Sequence, residues 1–444
     1  MIEISPEILT IIMLGGILVG VLTGYTLAFV IGTLALAVGY TVWGNAILSL
    51  LYDRAYGLLT NYILLAIPLF VFMGIMLERS GIAGKMYDVL YLWLGGLRGG
   101  LAITTVLVGT IVAACVGIIT ASVSMLALVA LPSMIRRDYD KALASGSVCA
   151  GGTLGILIPP SIMLVVYGPM AAISVGKLFM GAFIPGFVLS GLYVTYIALR
   201  CFFQPKIAPP VSVEERAVPF IKKTAMLITS LFPPAILVLS VLGVIFLGIA
   251  PPTEAAGMGA FVATLLAIAY RKFSWRVLKE TSLDTLRVSC FVYLMGIMAY
   301  SFVGVFIGAG CGDVMRELIL STPGGRWGPF AAIMFICFIL GFFIDWMGIV
   351  FIMVPIVTPI GASLGLDPVW FAMMICINLQ MSFMTPPFAV SIFVCRGAAA
   401  PELGVTMGDI IRGSFPFVGL IIIALGLCVA FPELILWLPS RMIK

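Results

Sequence analysis

Two apolar stretches of this chain are each interrupted by a doublet of prolines. The first reads GGTLGILIPPSI, with Pro159 and Pro160; the second reads LQMSFMTPPFAVSIF, with Pro386 and Pro387. Proline removes a backbone donor and its ring collides with the preceding turn, so neither stretch can continue as an uninterrupted helix. Within a bilayer a broken backbone has no water to satisfy it. It persists only where protein buries it or where it lines a cavity. Paired interruptions in the two halves of one chain therefore point to a binding site at membrane depth.

That the setting is a bilayer follows from composition. Of the 444 residues, 62% are hydrophobic and 10% charged, far from the balance of a soluble domain. Long continuous apolar runs, with no alternating pattern, exclude a transmembrane barrel. At about 20 residues per crossing the chain has room for roughly 11 to 13 helical spans or re-entrant pieces. The segment from Ile8 to Val42 exceeds one signal-peptide core and has no basic cluster ahead of it, so it reads as mature spans. The fold class expected is an all-α polytopic membrane protein.

The formal charge of +5 comes from 24 Lys and Arg set mostly in short connections. This is the pattern of membrane topology and excludes a nucleic-acid partner. Histidine is absent, which removes imidazole zinc sites, Ser/His/Asp triads and histidine proton relays. The nine cysteines form no CxxC pair and read as small buried apolar residues. With no Walker A loop, nucleotide hydrolysis would need another chain.

The polar stretch Gln204 to Lys223 divides the chain into a first module, 1–205, a connector, 206–223, and a second module, 224–444. Landmarks recur in the same order on either side. Gly20, Gly74, Pro132, Pro159-Pro160 and Pro185 correspond to Gly248, Gly296, Pro355, Pro386-Pro387 and Pro416. Each module carries an apolar segment of hairpin length with a glycine or polar middle, at about 101–135 and 330–363. A proline-broken helix follows, at about 143–167 and 369–394. Arg98, Arg136, Arg137 and Lys141 flank the base of the first hairpin, whereas the base of the second carries only Asp367. By the positive-inside rule the hairpins enter from opposite faces, the arrangement of an inverted repeat.

Half-helix ends gathered at the midplane offer N–H groups to an anion, and carbonyls and hydroxyls to a small hard cation. The candidates are Thr120, Ser122, Ser124, Gly151, Gly152, Thr153, Gly155 and Ser161 in one half. Asp345, Gly348, Asn378, Gln380, Ser382 and Thr385 stand in the other. Each hydroxyl competes with a simple role in helix packing. Asp345 is penalised by roughly 2.5 to 3.5 kcal/mol at the centre of a span, so it should face a partner or an aqueous site. Glu254, just after Pro251 and Pro252, suits a first helical turn. Arg287, Arg316, Arg326 and Arg396 read as snorkelling residues at span ends, and Trp43, Trp93, Trp327, Trp370 and Trp437 as interface anchors.

Taken together, FMGIMLERSGIAGKMYD, GGTLGILIPPSIMLVVYG, GIAPPTEAAGMGAF and MTPPFAVSIF resemble the large membrane subunit of tripartite ATP-independent periplasmic (TRAP) transporters, over nearly the whole chain. The resemblance implies an inverted repeat with two re-entrant hairpins and two discontinuous helices, moving as an elevator. It also implies sodium-driven import of an organic acid across a bacterial inner membrane. Two further partners are implied by the resemblance, a periplasmic substrate-binding protein and a small four-helix membrane subunit, the latter expected as a separate chain because this one opens directly on a large-subunit span. By the resemblance, hairpin and broken-helix sites fall on Gly117, Ser122, Ser124, Gly152, Thr153 and Gly155, and on Gly348, Thr385 and Pro386. With Thr120 and Asp345 these are the sodium-binding candidates. Ser161, Asn378, Gln380 and Ser382 are the substrate-binding candidates, with no cofactor beyond sodium as coupling ion. ILGFFIDWMGI and NLQMSFMTPPF look most like the branch associated with 2-oxo acids and other monocarboxylates. Two other readings stand beside this one: the membrane subunit of an ATP-driven importer, from Glu254-Ala255-Ala256, and an intramembrane enzyme using Asp345 as base.

Overall fold

A computed structural model describes residues 4–212 and 214–442. Among these residues every regular element is helical, and seven helices are long and apolar enough to cross a membrane. The same order of elements occurs twice. In the first half, helices from Pro6–Leu22 to Ile82–Leu94 lead to a hairpin, a broken helix and the 29-residue helix Val175–Phe203. In the second, helices from Phe220–Val238 to Cys311–Leu320 lead to a hairpin, a broken helix and the helix Met407–Ala430.

Both hairpins lie where their apolar length and polar middles place them. The first consists of Gly100–Val116 and Ile119–Ile135, the second of Trp327–Leu340 and Trp346–Ser363. Each broken helix is likewise in two pieces: Lys141–Thr153 with Ile162–Ala171, and Pro368–Ser382 with Val390–Ala398. The pieces are shared between the hairpins. The first hairpin holds Lys141–Thr153 and also Val390–Ala398; the second holds Pro368–Ser382 and also Ile162–Ala171. Each break thus falls where the chain passes from one hairpin to the other, and neither hairpin can form its surroundings from its own half alone.

Close packing here depends on small residues, because lipid provides no hydrophobic drive between helices. A Cβ at Gly109 would lie 2.6 Å from the carbonyl oxygen of Gly151, so the first hairpin touches its broken helix backbone to backbone. All nine cysteines are free, eight of them buried, and Cys290 is exposed. Trp370 is a core residue, not an interface anchor: it is 4% exposed and donates its indole N–H to the carbonyl of Cys428 at 2.9 Å. Glu254 does sit in the first turn of Pro252–Ala269, where it accepts hydrogen bonds from Tyr62 and Thr253.

The polar connector is tied down at the base of the first hairpin. Ile207 O accepts from Asp140 N–H at 2.8 Å, Ala208 O from Gly99 N–H at 3.1 Å, and Val211 N–H donates to Gly95 O at 2.7 Å. Glu215 accepts from Tyr91 and Arg137 at 2.6 and 2.7 Å. These two donors hold its carboxyl below the usual glutamate range.

Candidate functional site: a cavity walled by four chain interruptions

In the first broken helix the turn after Thr153 tightens to a 3-10 segment, Leu154–Ile156, before the proline doublet. Leu154 O accepts from Leu157 and Ile158 N–H, which satisfies the end of the half-helix. Ser161 Oγ donates to Ile156 O, bridging the break. In the second, Thr385 Oγ1 donates back to Met381 O at 2.7 Å. Ser391 closes that gap by donating both its N–H, at 3.1 Å, and its hydroxyl, at 2.6 Å, to Phe383 O. Ala389, with φ 27°, makes the turn into Val390–Ala398 in a region that side chains rarely adopt.

Each hairpin tip is set against a break. Gly117 turns the first tip at φ 64°, and a Cβ there would sit 2.8 Å from Pro160 O. Only glycine meets both demands. The second tip runs from Gly341 to Asp345, with Gly341 pressed against the side chain of Ser382. Asp345 occupies the N-cap position of Trp346–Ser363.

Between these four interruptions lies a cavity of about 510 Å³. Gly117, Ile118 and Thr120 reach it from the first tip, and Asp345, Trp346 and Met347 from the second. Ile156 and Ile162 flank the first break; Phe383, Phe388 and Val390 flank the second. The remaining wall is one face of the 34-residue helix Trp275–Gly308, through Arg287, Val288, Phe291 and Val292. The volume lies within the range of small-molecule sites, and the lining is apolar apart from a few polar groups, the usual composition of such sites.

Of the residues singled out from the sequence, Gly117, Thr120 and Asp345 line this cavity. Ser122, Gly155, Gly152 and Thr153 lie behind the first tip. Ser122 is 1% exposed and its hydroxyl has no hydrogen-bond partner, while a Cβ on Gly155 would stand 3.6 Å from it. Gly151 packs on Thr105 O, Gly152 packs on Val123, and Thr153 donates to Ala150 O at 3.0 Å beside the sulfur of Met384. Ser124, two residues beyond Ser122 on the same helix, is half-buried. In the second half, Thr385 and Pro386 are half-buried at the break, and Gly348 is covered by Leu27 and Ile344. Ser161, Asn378, Gln380 and Ser382 are all buried outside the cavity lining. Asn378 donates to Met334 O at 2.7 Å, whereas neither amide atom of Gln380 has a partner.

Arg287 stands where the uncharged run 288–308 begins, at the end of an apolar span, and reading it as a snorkelling residue left out that it also lines the cavity. The helix Trp275–Gly308 runs on past it through a charged stretch, 276–287, and Arg287 faces the cavity with a side chain 76% exposed. A signal for it exists in the sequence. Positions 287, 288, 291 and 292 share one helix face, on which an arginine among apolar residues marks a wall turned towards water.

The family described as "Tripartite ATP-independent periplasmic transporter, DctM component" matches residues 6–434. A C4-dicarboxylate TRAP transporter large permease protein of Pseudomonas aeruginosa is 31% identical over 383 residues, which cover 86% of this chain and 87% of that one. A sialic acid TRAP transporter large permease protein of Vibrio cholerae is 24% identical, covering 96% of both. Among solved structures, the Alcanivorax borkumensis YdaH transporter aligns with a TM-score of 0.64 at 14% identity, over 97% of this chain and 99% of that one. Neisseria gonorrhoeae MtrF aligns at 0.60 and 15% identity, over 96% and 94%. These two likenesses concern the fold alone. With the family matched along nearly its full length and the broken helices gathered around one cavity, this chain belongs to the DctM family of TRAP transporter large permeases.

Proposed function

We propose that this permease imports a small organic acid across a bacterial inner membrane by coupling it to the inward movement of sodium. The single observation that carries the reading is the meeting of four chain interruptions on one cavity. Half-helix ends gathered at one site can offer polar backbone groups to an ion and to its passenger. Relatives named for C4-dicarboxylates, sialic acid and ectoine act on carboxylates and one named for isethionate acts on a sulfonate, so an acidic oxygen group is what these substrates share.

Sodium is assigned to the buried polar groups behind the first tip. There the unpartnered hydroxyl of Ser122 faces Gly155, next to the turn in which Gly117 meets the Pro160 carbonyl. A hard cation bound by neutral oxygens fits this donor set. Among the described residues no group of three or more acidic, cysteine or histidine side chains is available for a divalent metal. The second break, with Thr385 and Pro386, is the corresponding place in the other half. The exchange of half-helices between the hairpins supports the inverted-repeat reading. An elevator motion would carry the two hairpins and both broken helices together past Trp275–Gly308. A small membrane subunit and a periplasmic binding protein complete the system, a reading that the family's tripartite, periplasmic description supports.

Each net positive charge moved inward gains about 2.3 kcal/mol per 100 mV, enough for roughly fifty-fold accumulation. The deciding experiment is uptake into proteoliposomes holding the permease and its small subunit, with the cognate binding protein outside. An imposed sodium gradient without ATP should drive uptake. Uptake that needs ATP, or that proceeds equally under a potassium gradient, would overturn the reading.

A further inference from the structure

Resting on that transport reading, and deepening it, we propose that Arg287 pairs with the substrate's carboxylate, and that the cavity takes a monocarboxylate with a compact apolar body. Two charged side chains line the cavity, Arg287 on the long-helix wall and Asp345 on the second tip, and they form no ion pair with each other. Arg287 is therefore the one cation offered to an anionic guest from the described residues of the wall.

Its charge is also under-compensated. Arg287 contacts Asp284 at 3.1 Å, but that same carboxylate is held at 2.6 Å by Arg79. Arg79 and Arg276 in turn share Glu280, so three arginines meet two carboxylates. The Arg287–Asp284 pair spans one turn of a single helix with the arginine 76% exposed, and exposed pairs of this kind contribute little. An incoming carboxylate can draw the guanidinium away at small cost and gain a bidentate contact.

The rest of the wall selects what the carboxylate is attached to. Phe291, Phe383, Phe388, Trp346 and several isoleucines and valines present apolar surface, and no second basic side chain stands ready for a second anionic group. Phe291 and Val288, on the same helix face as Arg287, place the apolar body beside the guanidinium.

The test is equilibrium binding to the full-length chain in lipid nanodiscs at saturating sodium. The three probes are 4-methyl-2-oxopentanoate, its neutral amide and succinate. Wild type should bind the oxo acid in preference to succinate, and Arg287→Gln should weaken oxo-acid binding about two- to fivefold. Arg287→Lys should recover part of that loss, and the weak binding of the amide should not change in either variant. An unchanged oxo-acid affinity in Arg287→Gln overturns the proposal, as does an equal loss for acid and amide, which would make the arginine merely structural. Succinate bound more tightly than the oxo acid, or no binding of any probe, removes the monocarboxylate assignment. Sodium-driven uptake by the same variants, reconstituted with the small subunit into proteoliposomes with the binding protein outside, separates these outcomes from failure of the transport reading, because a permease that still couples sodium to uptake keeps its function whichever residue holds the anion.

Discussion

The carbonyl of Pro160 faces the α-carbon of Gly117 so closely that a methyl group added there would lie 2.8 Å from it. This one contact joins the first hairpin tip to the first helix break. Neither side can shift without moving the other.

Gly117→Ala should therefore disturb the site from two directions. The residue adopts φ 64°, which costs an L-residue about 1–2 kcal/mol, and the added methyl has a backbone atom to displace instead of a flexible side chain. Uptake should fall at least tenfold while the protein still inserts. Transport rates and the thermal midpoint of purified protein measure the two effects separately, and wild-type transport would contradict the proposed closeness of tip and break.

Ser122→Ala separates a functional hydroxyl from a structural one. The hydroxyl is buried and has no partner, and an unsatisfied buried group costs about 1–3 kcal/mol, so its removal should leave stability unchanged or raise it. If the hydroxyl holds sodium, the sodium concentration for half-maximal uptake should rise severalfold. A lowered thermal midpoint with unaltered sodium dependence would mean that Ser122 serves packing alone.

Asp345→Ala and Thr385→Ala should each abolish or sharply weaken sodium-coupled uptake without preventing insertion. Asp345 reaches the cavity from the second tip, and Thr385 stands at the second break. Initial rates at several sodium concentrations are the measurement, and wild-type kinetics in both variants would remove the second half from the proposed site.

Topology can be tested at the hairpin bases. Cysteines placed at Arg98 and Arg136 should be labelled by impermeant maleimide from the cytoplasmic side, and one at Asp367 from the periplasmic side. Labelling of all three from one face would contradict opposite entry of the hairpins.

The connector should loosen in acid. Hydrogen bonds from Tyr91 and Arg137 keep the Glu215 carboxyl below its ordinary value. A lowered folded-state pKa gives a contribution that is present above the unfolded value and is lost as pH falls through the folded one. Protease cleavage within 206–223 should therefore stay slow at neutral pH and quicken only below about pH 4, the ordinary glutamate range. Arg137→Gln should raise cleavage at neutral pH, where an equal rate in both proteins would argue against the contact.

The sequence by itself determined the helical class, both hairpins and both breaks, because these are local consequences. Pro159-Pro160 and Pro386-Pro387 stop a helix wherever they occur, and apolar length with a polar middle marks Gly100–Val116 and Ile119–Ile135 as a folded-back pair. It also marked Gly117 and Asp345 as residues out of keeping with lipid. Only the tertiary structure decided which groups share a cavity. Ser161, Asn378, Gln380 and Ser382 look like equally good polar candidates in the sequence, yet helix rotation turns them into the packed interior. Arg287 reads as an end-of-span residue, and only the packing of the 34-residue helix shows that it also stands on the cavity wall. The physical reason is that breaking a helix depends on neighbours in the chain, whereas facing a cavity depends on how helices far apart in sequence rotate and cross when they pack.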